Sequence, residues 1–372
     1  MKLLFYSNIP SPYRVDFFNE LGKKCDLTVL FELQNSTERD KNWKHNEFQN
    51  FRGIYLKGLR LTTDGAFCPG ILKYLKKDYD MIVMTVLSSP TALLAASYLR
   101  MRKIPYCFEG DGGFAGTGGG IKAKLKRLVL SGAKACFSTS EEFDRYCETF
   151  GATKEHIYRY PFTSIAEKDV PAKPLTAKEK KELRRELDIE EERMVLSVGQ
   201  FIHRKGFDLL LRVSKNLPED TGVYIVGGTP TEEYLELREQ LELPNVHFVP
   251  FMSREELGRY YQAADIFVLF TREDIWGLVV NEAMAKGLPV ISTNRCIAAL
   301  EMIRDGVNGY VVESENVEEM SRVTNLLLED SVLRESMALN AVNCIRNEYT
   351  IEKMASAHVS IINEILMERH EG

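Results

Sequence analysis

The feature that most narrows the fold is a repeated alternation. Strand-length runs that are apolar at nearly every residue take turns with stretches whose apolar residues recur at helical spacing. KLLFYSN leads into a helical pattern from about Tyr13 to Lys23 and then DLTVLFE; MIVMTV, PTALLAASYLRMRK, PYCFEG, AKACFST and EEFDRYCETFG continue the rhythm. The second half repeats it with MVLSVG, FDLLLRVSKNL, VYIVGG, TEEYLELREQL, NVHFVPF, REELGRYYQAA, DIFVLF, LVVNEAMAKG and LPVIST. A strand that is apolar throughout has both faces buried, as in a parallel sheet covered by helices on either side. Two such series predict an α/β protein of two doubly wound, Rossmann-like domains, with ligand sites beyond the carboxyl ends of the strands. A chain of 372 residues is long enough for two such cores. The join is expected in PFTSIAEKDVPAKP (161–174), which has three prolines and no periodicity. That gives one domain over 1–165 and a second over 166–348, with a helical segment over 349–372. The charged stretch 176–192 reads as an exposed helix opening the second domain.

Composition and charge limit the partners. With 44% hydrophobic and 27% charged residues the chain is globular, neither disordered nor fibrous. Its seven cysteines are scattered and form no Cys-x-x-Cys pair, which predicts reduced thiols, no structural zinc and a cytoplasmic setting. The opening KLLFY is interrupted by Ser7 and Asn8, too early for a signal segment of about seven to fifteen apolar residues. No apolar stretch approaches the roughly 18 residues of a membrane span. The net charge of −6 is uneven: residues 1–165 carry 24 Lys and Arg against 17 Asp and Glu, and the remainder 24 against 37. A basic first half suits an anionic partner, phosphate or a lipid surface, and equally a solubilising surface. No nucleic-acid motif accompanies it.

The chemistry concentrates in EDIWGLVVNEAMAKGLPVI (273–291). DIFVLF before it is a strand, and LVVNEAMAK a helix ended by Gly287, so Gly277 falls where the helix begins. Helix-start N–H groups and the positive end of the dipole bind phosphate there, and glycine admits a close approach. Glu282, one turn in, suits paired hydroxyls such as those of a ribose; Asp274, at the loop tip, suits another polyol. Alternatively, these are a dipole-stabilising acid and a solvated loop acid. GQFIHRKGFDLLL (199–211) is a second strand–loop–helix junction, whose Arg204 and Lys205 stand before Gly206 and suit a diphosphate leaving group.

Together VGQFIHRKG, DIWGLVVNE, NEAMAKGLPVISTN and DGVNGYVV resemble the retaining glycosyltransferases of family 4, which have the GT-B fold of two domains facing across a cleft. NIPSPYRVDFFNEL extends the likeness into the first half. The resemblance implies a donor site made by Gly199, Arg204, Lys205, Asp274, Trp276, Gly277, Leu278, Val279 and Glu282, with the base near Phe251 in VPFMSRE. Arg204 and Lys205 would meet the diphosphate, Gly277 to Val279 would cradle it, Glu282 would hold the ribose and Asp274 would lie near the transferred sugar; Asp274, Glu282, Arg204 and Lys205 would carry catalysis. It also implies a terminal helix that crosses back to the first domain. The family's first acid is usually Glu where this chain has Asp274, and its usual Arg is Gln200 here.

Three other matches are set aside. DYD (78–80) precedes its strand instead of ending one, unlike a metal-binding Asp-x-Asp. GGGIKA (118–123) does not directly follow its strand, so it is no dinucleotide fingerprint, and a dehydrogenase is disfavoured. GDGGF (110–114), within the glycine-rich stretch 112–120, is a loop at the cleft. With Glu109 just before it, it offers Asp111 and Gly112 to an acceptor, as IPSPYR offers Tyr13 and Arg14; Arg14 suits an acceptor or phosphate and equally a structural role at a helix start. IKAKLKRLVL (121–130) interleaves Lys122, Lys124, Lys126 and Arg127 with apolar residues. It suits the inner face of an anionic membrane and equally a helix packed on its own sheet. The expectation is a metal-independent, retaining transfer of a hexosyl unit, without a cofactor, from a nucleotide-diphospho-sugar (a UDP-sugar) to a glycan or lipid-linked acceptor. A non-hydrolysing sugar-nucleotide epimerase and a non-catalytic nucleotide-sugar-binding module stay open as alternatives.

Overall fold

The computed structural model describes residues 1–34, 47–63, 65–116 and 119–371, with backbone only over 369–371. Thr117 and Gly118, part of the glycine-rich stretch and of GGGIKA, lie outside the described residues. The chain divides into two units, Met1–Ser164 with Thr350–Gly372, and Ile165–Tyr349.

The first unit runs β1 (Lys2–Ser7), α1 (Pro12–Gly22), β2 (Asp26–Phe31), β3 (Arg52–Tyr55), β4 (Leu59–Arg60), β5 (Ala66–Phe67), β6 (Met81–Met84), α2 (Pro90–Met101), β7 (Cys107–Glu109), α3 (Gly120–Leu130), β8 (Cys136–Ser138), α4 (Glu141–Thr149) and β9 (Ile157–Arg159). Seven of these strands form one sheet in the order β3-β2-β1-β6-β7-β8-β9, while β4 and β5 pair as a separate hairpin. All pairings in the large sheet are parallel. The second unit runs α5 (Ala177–Glu186), β10 (Arg193–Val198), α6 (Phe207–Ser214), β11 (Thr221–Val226), α7 (Glu232–Gln240), β12 (Val246–Val249), α8 (Arg254–Ala263), β13 (Ile266–Leu269), α9 (Leu278–Ala285), β14 (Val290–Thr293), α10 (Ile297–Met302), β15 (Gly309–Val312), α11 (Val317–Glu329) and α12 (Ser331–Glu348). Its parallel sheet has the order β12-β11-β10-β13-β14-β15. The last helix, α13 (Ile351–Glu371), belongs to the first unit and packs along α1.

The continuous apolar runs are the inner strands: every residue of β6, β13 and β14 is buried. Helix starts follow local chemistry. Ser89 caps α2 by accepting from the Ala92 N–H, with Pro90 in the first helical position. Ser253 with Glu256, and Thr176 with Glu179, form reciprocal capping boxes on α8 and α5. The segment expected as an exposed helix over 176–192 is shorter and docked. Lys180 and Arg184 of α5 are buried, Lys180 Nζ donating to the Ala264 carbonyl at 2.7 Å and Arg184 Nη2 to Asp265 Oδ2 at 2.7 Å. A helix with little apolar surface is held here by buried cations bonded to the segment between α8 and β13.

Candidate functional site

Strand order fixes where a ligand can sit. In the second unit β10, β11 and β12 step outward, and the chain then returns to place β13 on the other side of β10. Ligands in open parallel sheets bind outside the carboxyl ends at such a reversal. The loops leaving β10 and β13 are the two that carry Arg204–Lys205 and Asp274–Gly277.

These loops touch. A short 3₁₀ turn spans His203–Lys205 and ends at Gly206, whose φ is +67°. A Cβ on Gly206 would stand 1.9 Å from the Phe270 carbonyl oxygen, so only glycine lets the loops meet. The Arg204 carbonyl accepts from the Arg272 N–H at 2.8 Å and from Thr271 Oγ1 at 2.7 Å. The Arg204 side chain is exposed and donates from Nη1 to the Glu273 carbonyl at 3.1 Å. Lys205 Nζ lies 2.5 Å from Asp274 Oδ2. Gly277 caps α9 with φ +102°, and a Cβ there would sit 2.8 Å from Cys296 Sγ. Leu278 and Val279 are half-buried in the first turn, where backbone N–H groups have no partner inside the helix and the dipole is positive. Gly199 directly follows β10, its N–H donating to the Val226 carbonyl at 2.9 Å. Glu282 is half-buried and accepts from Tyr261 Oη of α8 at 3.0 Å. Burial pushes its carboxyl upward, against the pull of that hydrogen bond. Phe251, just past β12, is half exposed.

Several expected placements need correcting. Asp274 is not at a solvated loop tip: it is buried, its N–H donates to the Arg295 carbonyl at 2.8 Å, and its backbone bridges to Cys296. Its charge is met by Lys205, so the two residues assigned to sugar and diphosphate face each other. Trp276 offers no ring face to a donor; it is 2% exposed, and its Nε1 donates to Asn281 Oδ1 at 2.8 Å. Arg272 was not anticipated. It forms a two-pronged pair with Asp208, at 2.7 Å for each prong, and binds Glu315, which clamps the β13 loop to the start of α6. Tyr261 was missed as well; a tyrosine in a polar helix carries no local signal of the acid it meets.

In the first unit, Tyr13, Arg14, Glu109 and Asp111 come together at the carboxyl edge of the sheet. Tyr13 Oη donates to Asp111 Oδ2 at 3.0 Å, and the Arg14 guanidinium bonds Glu109 with one nitrogen and Asp111 with the other. Of the two roles open to Arg14, direct contact with acceptor or phosphate and a structural one, its surroundings favour the structural one. Arg14 is 4% exposed, with both ends of its fork committed to carboxylates. Gly112 follows in the loop after β7, half-buried. Burial raises the Glu109 carboxyl, but Arg14 and His358 outweigh it and hold it at about 2. Asp78 and Asp80 of DYD both serve Lys2, through its ammonium and its N–H. A basin of 610 Å³ opens at the amino ends of β10 and β13, the opposite edge from Lys205; two of the cations that line it, Arg184 and Arg193, are paired with Asp265 and Asp220.

The basic helix divides. Lys122, Lys124 and Arg127 are exposed, and Ile121 is 78% exposed beside them. Lys126 departs from that group: its ammonium stands 4.9 Å from the Tyr146 ring centre and 5.0 Å from that of Phe150. Among the described residues no helix is long and apolar enough to cross a membrane.

Comparison with known proteins decides the architecture. The HepE protein of Anabaena, solved with UDP, superposes with a TM-score of 0.77 at 15% identity, covering 100% of both chains. The fold is GT-B. Within this GT-B chain, residues 179–343 match the family model of the glycosyl transferases group 1. An "Uncharacterized glycosyltransferase" of Haemophilus influenzae is 33% identical over 170 residues, 44% of this chain and 47% of that one. The N,N'-diacetylbacillosaminyl-diphospho-undecaprenol alpha-1,3-N-acetylgalactosaminyltransferase of Campylobacter jejuni is 28% identical over 267 residues, 68% of this chain and 69% of that one. The chain spans about half the length of several of the curated relatives it matches.

Proposed function

We propose that the chain is a retaining glycosyltransferase that moves a hexosyl unit from a nucleotide-diphospho-sugar, a UDP-sugar, to a glycan or lipid-linked acceptor without a metal. The observation that carries this reading is the meeting of two loops at the β10/β13 reversal, which gathers Arg204, Lys205 and the amino end of α9. A UDP complex of a protein with the same fold and a relative named for a lipid-diphosphate-linked substrate support it.

In this reading the barrier lies in charge growing on the departing diphosphate. Arg204, Lys205 and the amides of Leu278 and Val279 stabilise that charge, and they hold their positions before the donor arrives. The incoming diphosphate shares Lys205 with Asp274, which leaves Asp274 oriented toward the sugar. Glu282, steadied on one side by Tyr261, accepts the ribose hydroxyls. The first unit takes the acceptor at Tyr13, Arg14, Glu109, Asp111 and Gly112, with Arg14 ordering the acids. The donor phosphate takes the acceptor proton on the departing face, which retains the anomeric configuration. Lys122, Lys124 and Arg127 of α3 rest on the anionic inner face of the membrane, so the protein works at the cytoplasmic surface.

The test is turnover of UDP-glucose, the donor also seen in a HepE complex. Lys205→Ala and Glu282→Ala are each expected to lower turnover by about a hundredfold or more, with unchanged circular dichroism. Wild-type rates in either variant reject the site. For the membrane role, binding to vesicles of phosphatidylcholine and phosphatidylglycerol should weaken in Lys122→Gln/Lys124→Gln and with added salt; equal binding rejects that surface.

A further inference from the structure

One imidazole in the first unit reaches the acceptor edge from the far end of the sequence. His358 lies on α13 and is fully buried, as is Glu109. Its Nδ1 lies 2.8 Å from the Met354 carbonyl, one turn back in the same helix. Its Nε2 lies 3.2 Å from Glu109 Oε2. Three rings hold the imidazole in that orientation: Phe17 at 4.7 Å, Phe137 stacked at 5.2 Å, and Tyr160 edge-on at 4.5 Å between centres. Glu109 therefore faces His358 with one oxygen, at ion-pair distance but without an aligned hydrogen bond, and bonds Arg14 with the other, which also accepts from Tyr160 Oη at 3.4 Å; Tyr160 Oη lies 3.1 Å from the neighbouring Gly110 carbonyl as well.

The rest of the chain of contacts leads outward. Arg14 joins Glu109 to Asp111, and Tyr13 holds the second oxygen of Asp111. Side-chain exposure rises along it, from 0% at His358 and Glu109 through 5% at Arg14 to 27% at Asp111. Asp111 is the end of the network that meets solvent, at the carboxyl edge where this fold takes ligands.

We propose that His358 is a positioning residue: acting through Glu109 and Arg14, it fixes the carboxylate of Asp111, and Asp111 receives a hydroxyl of the sugar acceptor. This rests on the reading above that the first unit takes the acceptor. Without Nε2, Glu109 loses the partner that opposes Arg14. The guanidinium can then close on Glu109 with both nitrogens and let go of Asp111. α13 on this view supplies part of the acceptor subsite, beyond its packing against α1.

The experiment has two arms on the full chain. The variants are His358→Phe, which keeps the ring packing, and His358→Gln, which keeps a side-chain N–H donor; thermal melts confirm folding. In the first arm, protein carrying [4-¹³C]aspartate is followed by NMR, with the Asp111 signal assigned by its loss in Asp111→Asn. The signal should move or broaden in His358→Phe and return toward its wild-type position in His358→Gln. An unmoved Asp111 signal in His358→Phe overturns the proposal. In the second arm, transfer from UDP-glucose to octyl glucoside is measured. His358→Phe and Asp111→Asn should each raise the acceptor KM about tenfold and leave the donor KM unchanged. The double variant should be no worse than Asp111→Asn alone, because both changes break one line of contacts. Fully additive effects, or a raised donor KM, overturn it. Loss of all transfer by the wild type overturns the glycosyltransferase reading and with it the acceptor role of Asp111, while the NMR arm still decides whether His358 positions that side chain.

Discussion

The pairing of Lys205 with Asp274 sets an opposite sign for two effects. Asp274→Asn removes the anion that neutralises Lys205, so UDP should bind several-fold more tightly by calorimetry, while sugar transfer falls. Weaker UDP binding in that variant shows that Asp274 orders Lys205 more than it competes for it. The Arg-Lys-Gly run, Gly277 and Glu282 are legible in the sequence because each belongs to a short strand–loop–helix text whose geometry is local. The ion pair between Lys205 and Asp274 is not, since it depends on two loops folding onto each other. The same holds for Tyr261 on Glu282, Arg272 on Asp208, and His358 facing Glu109, whose partners stand far apart in the chain.

Elements reveal which features serve shape and which serve chemistry. The start of α9 combines a left-handed residue with a side-chain wall, so Gly277→Ala meets both φ strain and Cys296 Sγ. A loss of roughly 1–3 kcal/mol is expected in urea unfolding, and adding Cys296→Ala should restore the steric part only. Helix α5 shows the limit of pattern reading. Its composition says exposed, and the capping box is where the sequence places it, but two of its cations are buried and bonded to Ala264 and Asp265, just ahead of β13. Arg184→Ala leaves Asp265 buried without its cation, a cost of about 3–5 kcal/mol; Lys178→Ala on the outer face should change stability by less than about 0.5 kcal/mol. The parallel inner strands were legible throughout, because burial on both faces writes itself as unbroken apolar text. The short strands β3, β4, β5 and β9 were not, being too brief or too exposed for any period to show.

For the molecule as a whole, two buried acids of the first unit give stability opposite slopes with pH. Glu32 is 2% exposed, accepts from Tyr6, Ser89 and the Ala66 N–H, and burial lifts its carboxyl from 4.5 to about 7 despite those bonds. The folded state then holds its proton more tightly than the unfolded one. Its contribution is complete below pH 4.5 and is lost as pH rises through 7, a change on the order of 3 kcal/mol. Glu109, held at about 2, behaves in reverse: its contribution is present above pH 4.5 and is lost as pH falls toward 2. Glu32→Gln reproduces the protonated form, so it should melt higher than wild type at pH 8 and match it at pH 5. A constant difference across that range would mean that Glu32 does not titrate there.

The placement of α13 also has a consequence for synthesis. Residues 1–164 leave the ribosome without the helix that completes their unit, and Thr350 onward follows only after the whole second unit. At about 5–20 residues per second, that wait is roughly ten to forty seconds. Throughout it the nascent chain carries Phe17, Phe137 and Tyr160 without the imidazole that fills the space between them, and Glu109 without the ring nitrogen that faces its second oxygen. The lobe translated first is thus the one that finishes folding last, and a fragment ending at Ser164 should be a client for chaperones and not a stable domain.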